Sequence, residues 1–272
     1  MRESSARLRE PIFNVPAVIV IVIGLLVVIH AIRQLVSAEV DEAILELFAF
    51  VPDRYLSDGS SDLLLSDSWG PYLWSFFSYT LLHADLTHLI SNCVAFAALG
   101  NLLARRLGTC RFLAFCAVTG AVSALAELAI AAIEPGPVIG ISGVICALMG
   151  AMARFVFPPR RAMTRRPGSD PSGSDGGEAD WIDDAPDPSD LPALLRPTGG
   201  IAETLLRPKV AQFILAFVIM NLLLVFGAPA LMGSDGRVAW MVHAAGFVAG
   251  FLLFPALDPL PNASDHAEAA VW

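Results

Sequence analysis

The chain has 272 residues, of which 56% are hydrophobic and only 16% are charged, and its mean hydropathy is +0.64. This composition is too apolar for an ordinary soluble domain of this length, and it predicts an all-α membrane protein with several spans. The formal charge of −9 comes from acids concentrated in connections and in one insert, so it does not indicate a basic partner.

Six apolar segments are predicted to span the membrane, each about as long as a bilayer is thick. In chain order they cover residues 15–32, 73–103, 112–133, 140–157, 210–226 and 238–255. The membrane domain runs over 12–257, between an arginine-containing tail, 1–11, and a polar tail, 258–272, both predicted to be cytoplasmic. Between the first two spans, a short amphipathic helix over 41–51 is expected in a connection long enough to form a functional cap.

Residues 158–208 interrupt the membrane domain and differ from it in composition. A basic block is followed by a stretch, 168–192, that is rich in Gly, Ser, Pro and Asp and has no Lys or Arg. Because such a segment cannot bury enough apolar surface to order itself, we predict a disordered acidic cytoplasmic insert. A passive linker and a partner-binding segment are both compatible with it.

The cysteines give no sign of a cross-linked or metal-bound fold. All of them lie in or beside apolar segments, without the spacing of metal ligands: Cys93, Cys110, Cys116 and Cys146. The sequence therefore predicts neither a disulfide framework nor a metal site.

The basic residues predict the orientation. If the N-terminus is cytoplasmic, only three of the 17 Lys and Arg residues fall on the opposite side, namely Arg33, Arg54 and Arg237. Cytoplasmic connections are enriched in Lys and Arg, so we expect a cytoplasmic N-terminus. The second, fourth and sixth spans then all run from outside to inside.

The fourth span opens with a serine between two glycines, in the order Gly140-Ile-Ser142-Gly143. Serine and glycine here are typical of closely packed membrane helices, where the hydroxyl bonds its own backbone. The arrangement also suits a nucleophile, because glycines admit other groups and a helix N-terminus offers free N–H groups to an oxyanion. These residues alone leave both interpretations open.

Polar side chains interrupt the second and sixth spans, where each costs free energy unless it is paired or faces a wet cavity. His88 and Asn92 are four residues apart, so on a helix they present hydrogen-bond donors from one face. A pair that holds two helices together is the alternative. In the sixth span, His243 shares a stripe with Gly246 and Gly250, which would admit a second helix closely.

The predicted topology brings these polar groups to a common depth. Ser142 and His243 lie near the outer ends of their spans, with His88 and Asn92 along the second span. A serine nucleophile needs a base within about 3 Å, and His243 is the candidate. The backbone at Gly143, together with His88 and Asn92, supplies donors of the kind that bind an oxyanion.

Three motifs, in this order along the chain, resemble those of the rhomboid intramembrane serine proteases: His88-Leu-Ile-Ser-Asn92, Gly140-Ile-Ser142-Gly143 and His243-Ala-Ala-Gly246-Phe-Val-Ala-Gly250. The resemblance implies a six-helix rhomboid-like bundle with a Ser142 and His243 dyad, in which His88 and Asn92 help to bind the oxyanion. It also implies transmembrane protein substrates cut near their outer ends, without metal or nucleotide cofactors, and no nucleic-acid partner. We expect a multi-pass protein of the cell membrane, the inner one in a bacterium, with its active site open to the non-cytoplasmic side.

Two positions depart from the pattern of many rhomboids. Trp74 is followed by Ser75 where many members have Trp-Arg, and Cys146 stands where many have a tyrosine that packs on the catalytic imidazole. We predict an intramembrane serine endopeptidase. The alternative is a catalytically inactive rhomboid-like protein that binds or escorts membrane clients. A six-span transporter is disfavoured because the sequence shows no internal repeat.

Overall fold

The computed structural model describes residues 15–56, 69–130, 136–157, 191–232 and 239–260. Over these ranges the chain is helical without strands, which confirms the predicted all-α class, and its one isolated antiparallel bridge joins Phe50 and Val138. The α-helices are α1 (Ala17–Leu35), α2 (Ala38–Phe48), α3 (Asp53–Leu56), α4 (Gly70–Ser78), α5 (Leu86–Ile130), α6 (Ser142–Phe155), α7 (Ile201–Leu205), α8 (Pro208–Met232) and α9 (Trp240–Leu257).

Several of these helices suit a bilayer. By length and composition, α1, α5 and α9 are long and apolar enough to cross a membrane, while Ser142–Phe155 and Pro208–Leu224 are shorter apolar helices. This pattern fits an integral membrane protein. The number of spans, six, and the cytoplasmic N-terminus stay predictions.

Helix α5 consists of two helices that meet at Gly108. The φ of this glycine is 73°, in the left-handed region that favours residues without a Cβ. Phe96 and Phe112 are sixteen residues apart, a separation of about 24 Å along a straight helix. Their ring centroids nevertheless lie 5.9 Å apart. The chain therefore turns at Gly108, between the stretches predicted as the second and third spans.

The predicted second span, a continuous helix over 73–103, is wrong. The helix α4 and a 3-10 turn, Tyr79–Leu81, are followed by a non-helical connection before α5 begins. Arg33 Nη1 donates to the carbonyl of His83 at 2.8 Å, and Asp85 Oδ1 accepts the His88 N–H at 2.8 Å. The first bond holds the connection extended, and the second caps the start of α5.

The described residues between α1 and the start of α5 form a folded cap, 37–56 with 69–81. Its helix α2 replaces the helix that was expected over 41–51. The two parts of the cap are joined by hydrogen bonds from Trp74 Nε1 to the Leu47 carbonyl, 2.7 Å, and between Tyr55 Oη and Ser75 Oγ, 2.8 Å. Phe50 lies beneath them in an aromatic cluster with Tyr55 and neighbouring rings. The cap is therefore packed as a small structured unit.

Helices α6 and α9 touch backbone to backbone at the centre of the bundle. A Cβ at Gly246 would overlap the carbonyl of Gly143, and one at Gly250 would overlap the carbonyl of Ala147. A Cβ at Gly150 would likewise overlap the backbone of α9. The predicted stripe of α9 thus faces α6, and the absence of side chains at Gly246 and Gly250 permits the close approach.

A second polar centre lies at the opposite end of α6 from Ser142. The guanidinium of Arg106 forms a buried ion pair with Asp258, Nη2 to Oδ2 2.6 Å, and lies over the Phe155 ring at 4.3 Å. It also donates to the carbonyl of Arg196 at 2.8 Å and to Thr198 Oγ1 at 3.3 Å. Asp258 was expected in a polar tail, but its side chain is 0% exposed and packs against the described bundle.

These contacts also correct the prediction of a disordered insert over 158–208. Residues 191–207 are ordered and contain a 3-10 turn, Ala193–Leu195, and α7. Arg154 Nη2 donates to the Gly199 carbonyl at 2.8 Å, so this returning segment is held by α6 as well as by Arg106. Residues 158–190, the predicted tail over 1–11 and the last part of the C-terminal tail lie outside the described residues.

Candidate active site

The nucleophile candidate and the base candidate lie at the start of two adjoining helices. Ser142 is the first residue of α6, and His243 lies in the first turn of α9. The distance between Ser142 Oγ and His243 Nε2 is 2.8 Å, a hydrogen bond. His243 is buried, while Ser142 is half-buried. The structure thus brings together two residues that are 101 positions apart.

The stretch before Ser142 is fixed by the cap. The N–H of Gly140 donates to the Tyr79 carbonyl at 2.9 Å, and the Tyr79 hydroxyl donates to the carbonyl of Gly120 on α5 at 2.9 Å. Phe50 and Val138 exchange backbone hydrogen bonds of 3.1 and 2.8 Å. The start of α6 is therefore tied to the cap and to α5 before the serine is reached.

Gly140, for which the sequence suggested either helix packing or room for other groups, precedes α6 and has a φ of 115°. A Cβ there would come within 2.9 Å of Cε1 and Nε2 of His88 and within 3.8 Å of Asn92 Nδ2. Its lack of a side chain thus makes room for the two polar groups of α5, as well as for an unusual backbone conformation.

His88 and Asn92 both have a donor free in this region. The N–H of Ala84 approaches His88 Nδ1 at 3.4 Å, so Nδ1 acts as the acceptor and the proton of the neutral ring lies on Nε2. Asn92 Nδ2 is buried and has no hydrogen-bond partner among the described residues. Buried donors are normally satisfied, so an unpaired one next to Gly140, two residues before Ser142, requires an explanation.

Gly143 brings a backbone N–H to the same place. It is the second residue of α6, and N–H groups in the first turn of a helix have no intrahelical partner. A Cβ at this position would meet side chains of Val242 and Ser123 at 2.6 and 3.1 Å. The glycine therefore lets α9 and α5 close around the start of α6.

A group of histidines lies behind His88. The rings of His83 and His88 are 5.0 Å apart, and Arg33, which holds the His83 carbonyl, also pairs with Asp41 at 2.6 Å. Burial and the neighbouring His88 and His30 lower the pKa of His83 to about 4. His83 is then neutral at pH 7. In the described part of the chain, no group of three or more His, Cys, Asp or Glu side chains is arranged to hold a metal ion.

Reasoning from the sequence missed one residue at the site, Asn221. It lies on α8, and its Oδ1 is 2.9 Å from Nδ1 of His243. The sequence offered a signal, because an amide within an apolar span is costly unless it is paired. No third residue for His243 had been found among the carboxylates. The structure supplies an amide instead.

The two positions that depart from many rhomboids are both buried. Ser75 hydrogen-bonds Tyr55 inside the cap. Cys146 lies one turn after Ser142 and belongs to an apolar cluster with Phe217 and Phe247. Neither residue is among the hydrogen-bond partners of His243.

Part of the chain matches a known protein family. Residues 70–170 match the family model of the Rhomboid domain. The chain therefore contains a Rhomboid domain. The matched part contains His88, Asn92 and Ser142, while α8 and α9 follow it along the chain. No curated protein matches the chain in sequence.

Proposed function

We propose that this protein is an intramembrane serine endopeptidase, which hydrolyses peptide bonds in or near the transmembrane helices of other membrane proteins. The observation that carries the proposal is the 2.8 Å hydrogen bond between Ser142 Oγ and His243 Nε2. This pair lies near the donors of His88 and Asn92 on α5 and near the Gly143 N–H at the start of α6. A hydroxyl becomes an effective nucleophile when a base within hydrogen-bond reach accepts its proton.

The proposed reaction has two stages. In the first, Ser142 Oγ attacks the scissile carbonyl carbon and its proton passes to His243 Nε2. The resulting oxyanion accepts hydrogen bonds from the Gly143 N–H, Asn92 Nδ2 and His88 Nε2. The C–N bond then breaks, and Nε2 gives its proton to the leaving amine, which leaves an acyl-enzyme ester on the serine.

The second stage regenerates the enzyme. His243 Nε2 takes a proton from a water molecule, whose oxygen attacks the ester carbonyl. The ester bond breaks, Ser142 recovers its proton from His243, and the carboxyl end of the substrate is released. The reaction as written needs no metal or nucleotide.

The orientation and the substrate class belong to the same proposal. Basic residues concentrate on the side of the N-terminus, and this predicts that the Ser142 end of the bundle faces the non-cytoplasmic side. A half-buried serine within apolar helices favours substrates that are themselves in the bilayer. The six-span bundle in the cell membrane completes the proposed setting.

The proposal is tested by measuring cleavage of a panel of tagged single-span substrates by the purified protein in proteoliposomes. We expect cleavage by the wild type, and none by Ser142→Ala or His243→Ala. Covalent labelling of Ser142 by a fluorophosphonate, lost in His243→Ala, would report the activated hydroxyl directly. Equal cleavage by wild type and Ser142→Ala, or no cleavage and no labelling by the wild type, would contradict it. The latter result would favour the alternative, an inactive rhomboid-like protein that binds membrane clients.

A further inference from the structure

Asn221 is a polar residue on an apolar helix. Its neighbours Met220, Leu222 and Leu223 are exposed apolar side chains on the outside of the described bundle. Asn221 instead faces α9, where its Oδ1 lies 2.9 Å from Nδ1 of His243. The amide thus has a specific partner, and this partner is the proposed catalytic base.

We propose that Asn221 is a positioning residue for His243, an inference that rests on the proposed peptidase function. An amide oxygen can only accept a hydrogen bond, so the ring proton lies on Nδ1 and is donated to Asn221 Oδ1. The neutral imidazole then has its lone pair on Nε2, which faces Ser142 Oγ at 2.8 Å. This is the tautomer that can accept the proton of the nucleophile.

The contacts around the ring support this role. Among the described residues, the hydrogen-bond partners of the His243 ring are Asn221 and Ser142. From α6, the residue one turn after the serine is Cys146, which lies in an apolar cluster. Asn221 of α8 therefore determines which ring nitrogen of His243 faces Ser142. An amide does not exchange a proton as a carboxylate does, so Asn221 orients the base without becoming part of the proton transfer.

The same bond makes the base dependent on the location of α8. Near its start, α8 is held by Phe213 and Phe217, whose rings pack against Phe247 of α9. Arg207, the residue before α8, donates to the Phe157 carbonyl at 3.0 Å. Farther along, the side chains of α8 up to Leu224 are mainly exposed, and Asn221 there accepts the hydrogen bond from His243 of α9. Displacement of this part of α8 would remove the acceptor from Nδ1.

Three variants separate positioning from packing. Asn221→Leu keeps the approximate size but removes the acceptor, whereas Asn221→Asp keeps an acceptor oxygen. Leu222→Ala, on an exposed face of the same helix, is the matched control. We expect Asn221→Leu to lower kcat at least about tenfold with little change in KM, because the wrong tautomer cannot act as a base. Asn221→Asp should recover most of kcat, and the control should resemble the wild type.

Nitrogen-15 NMR of histidine-labelled protein in bilayers provides a readout that does not require cleavage. In a Ser142→Ala background, we expect the His243 signal, assigned through His243→Gln, to show the Nδ1–H tautomer. Asn221→Leu should shift it towards a mixture of tautomers. The proposal would be overturned if His243 showed the Nε2–H tautomer while Asn221 is intact. It would also be overturned if Asn221→Leu changed neither the tautomer nor kcat.

The two measurements also distinguish this proposal from the peptidase function. If the otherwise wild-type protein cleaves no substrate, the peptidase function fails, while the NMR spectrum still reports whether Asn221 fixes the tautomer. If it cleaves normally and Asn221→Leu does too, only the role of Asn221 fails. Should Asn221→Leu not fold, the tautomer of the protein with Asn221 intact and the kcat of Asn221→Asp decide the matter.

Discussion

The imidazole of His88 lies against Gly140, so closely that a Cβ at position 140 would come within 2.9 Å of both Cε1 and Nε2 of the ring. The two residues come from different parts of the chain, α5 and the turn before α6. In the proposed reaction, Gly140 therefore leaves the space in which the Nε2–H of His88 would approach a substrate carbonyl at Ser142.

Replacing Gly140 by alanine tests this relationship. The new Cβ would displace the His88 ring, and a φ of 115° strains any residue with a side chain, at a cost of order 1–3 kcal/mol. We expect a loss of cleavage of at least about tenfold and a lower thermal midpoint. Gly24→Ala is the control, since nothing lies within 4 Å of a Cβ at that helical position. Full activity of Gly140→Ala would show that the space is not needed.

The unpaired amide of Asn92 predicts a different pattern, loss of activity without loss of stability. Removing one oxyanion donor typically lowers kcat by about 10²–10³-fold. Because Asn92 Nδ2 has no partner among the described residues, Asn92→Ala should leave the unfolding midpoint nearly unchanged. Substrate cleavage and unfolding of the same preparations measure both effects. Asn101→Ala, which removes the partner of Arg105 Nε, provides a control remote from the site. A stable variant with wild-type kcat would exclude Asn92 from the oxyanion site.

The buried pair of Arg106 and Asp258 predicts large changes in stability. Their side chains are 1% and 0% exposed, so Arg106→Met leaves an uncompensated buried carboxylate, at a cost of about 3–5 kcal/mol in the free energy of unfolding. The double variant with Asp258→Leu should cost less than Arg106→Met alone. Denaturant titration in detergent measures both. Arg105→Met, at an exposed neighbouring position, should change stability by less than about 0.5 kcal/mol. Equal effects of Arg105→Met and Arg106→Met would contradict this account.

Local patterns in the sequence were sufficient for much of the fold. Apolar runs predicted the ends of α1, α6 and α9 to within three residues, because an apolar run about as long as a bilayer is thick predicts a spanning helix. The start of α8 was predicted equally well, but its end lies six residues beyond the predicted one. The predicted helix over 73–103 was wrong because the break depends on Arg33, which lies 50 residues before the carbonyl that it binds. Asp85, three residues before His88, was a local sign of a helix start that the pattern of apolar residues concealed.

The site shows the same division between local and distant causes. His88, Asn92, Ser142 and His243 could be singled out because polar groups in apolar segments require partners. Asn221 satisfied the same criterion but lies in a segment without a recognisable motif, and only the folded chain shows that it meets His243. Order in residues 191–207 was equally hidden, since it depends on arginines of α5 and α6.

The arginines at the other end of the bundle also bring the two ends of a long connection together. Arg196 Nη1 donates to the carbonyl of Val156, and Arg207 Nη1 donates to that of Phe157 at 3.0 Å. The chain thus leaves α6 and returns to the bundle at neighbouring points. A folded domain whose own ends lie close together, such as a fluorescent reporter, is therefore expected to fit between these points without separating α6 from α7. We also expect that the chain can be divided between these points and that the two separately translated halves will reassemble in the bilayer.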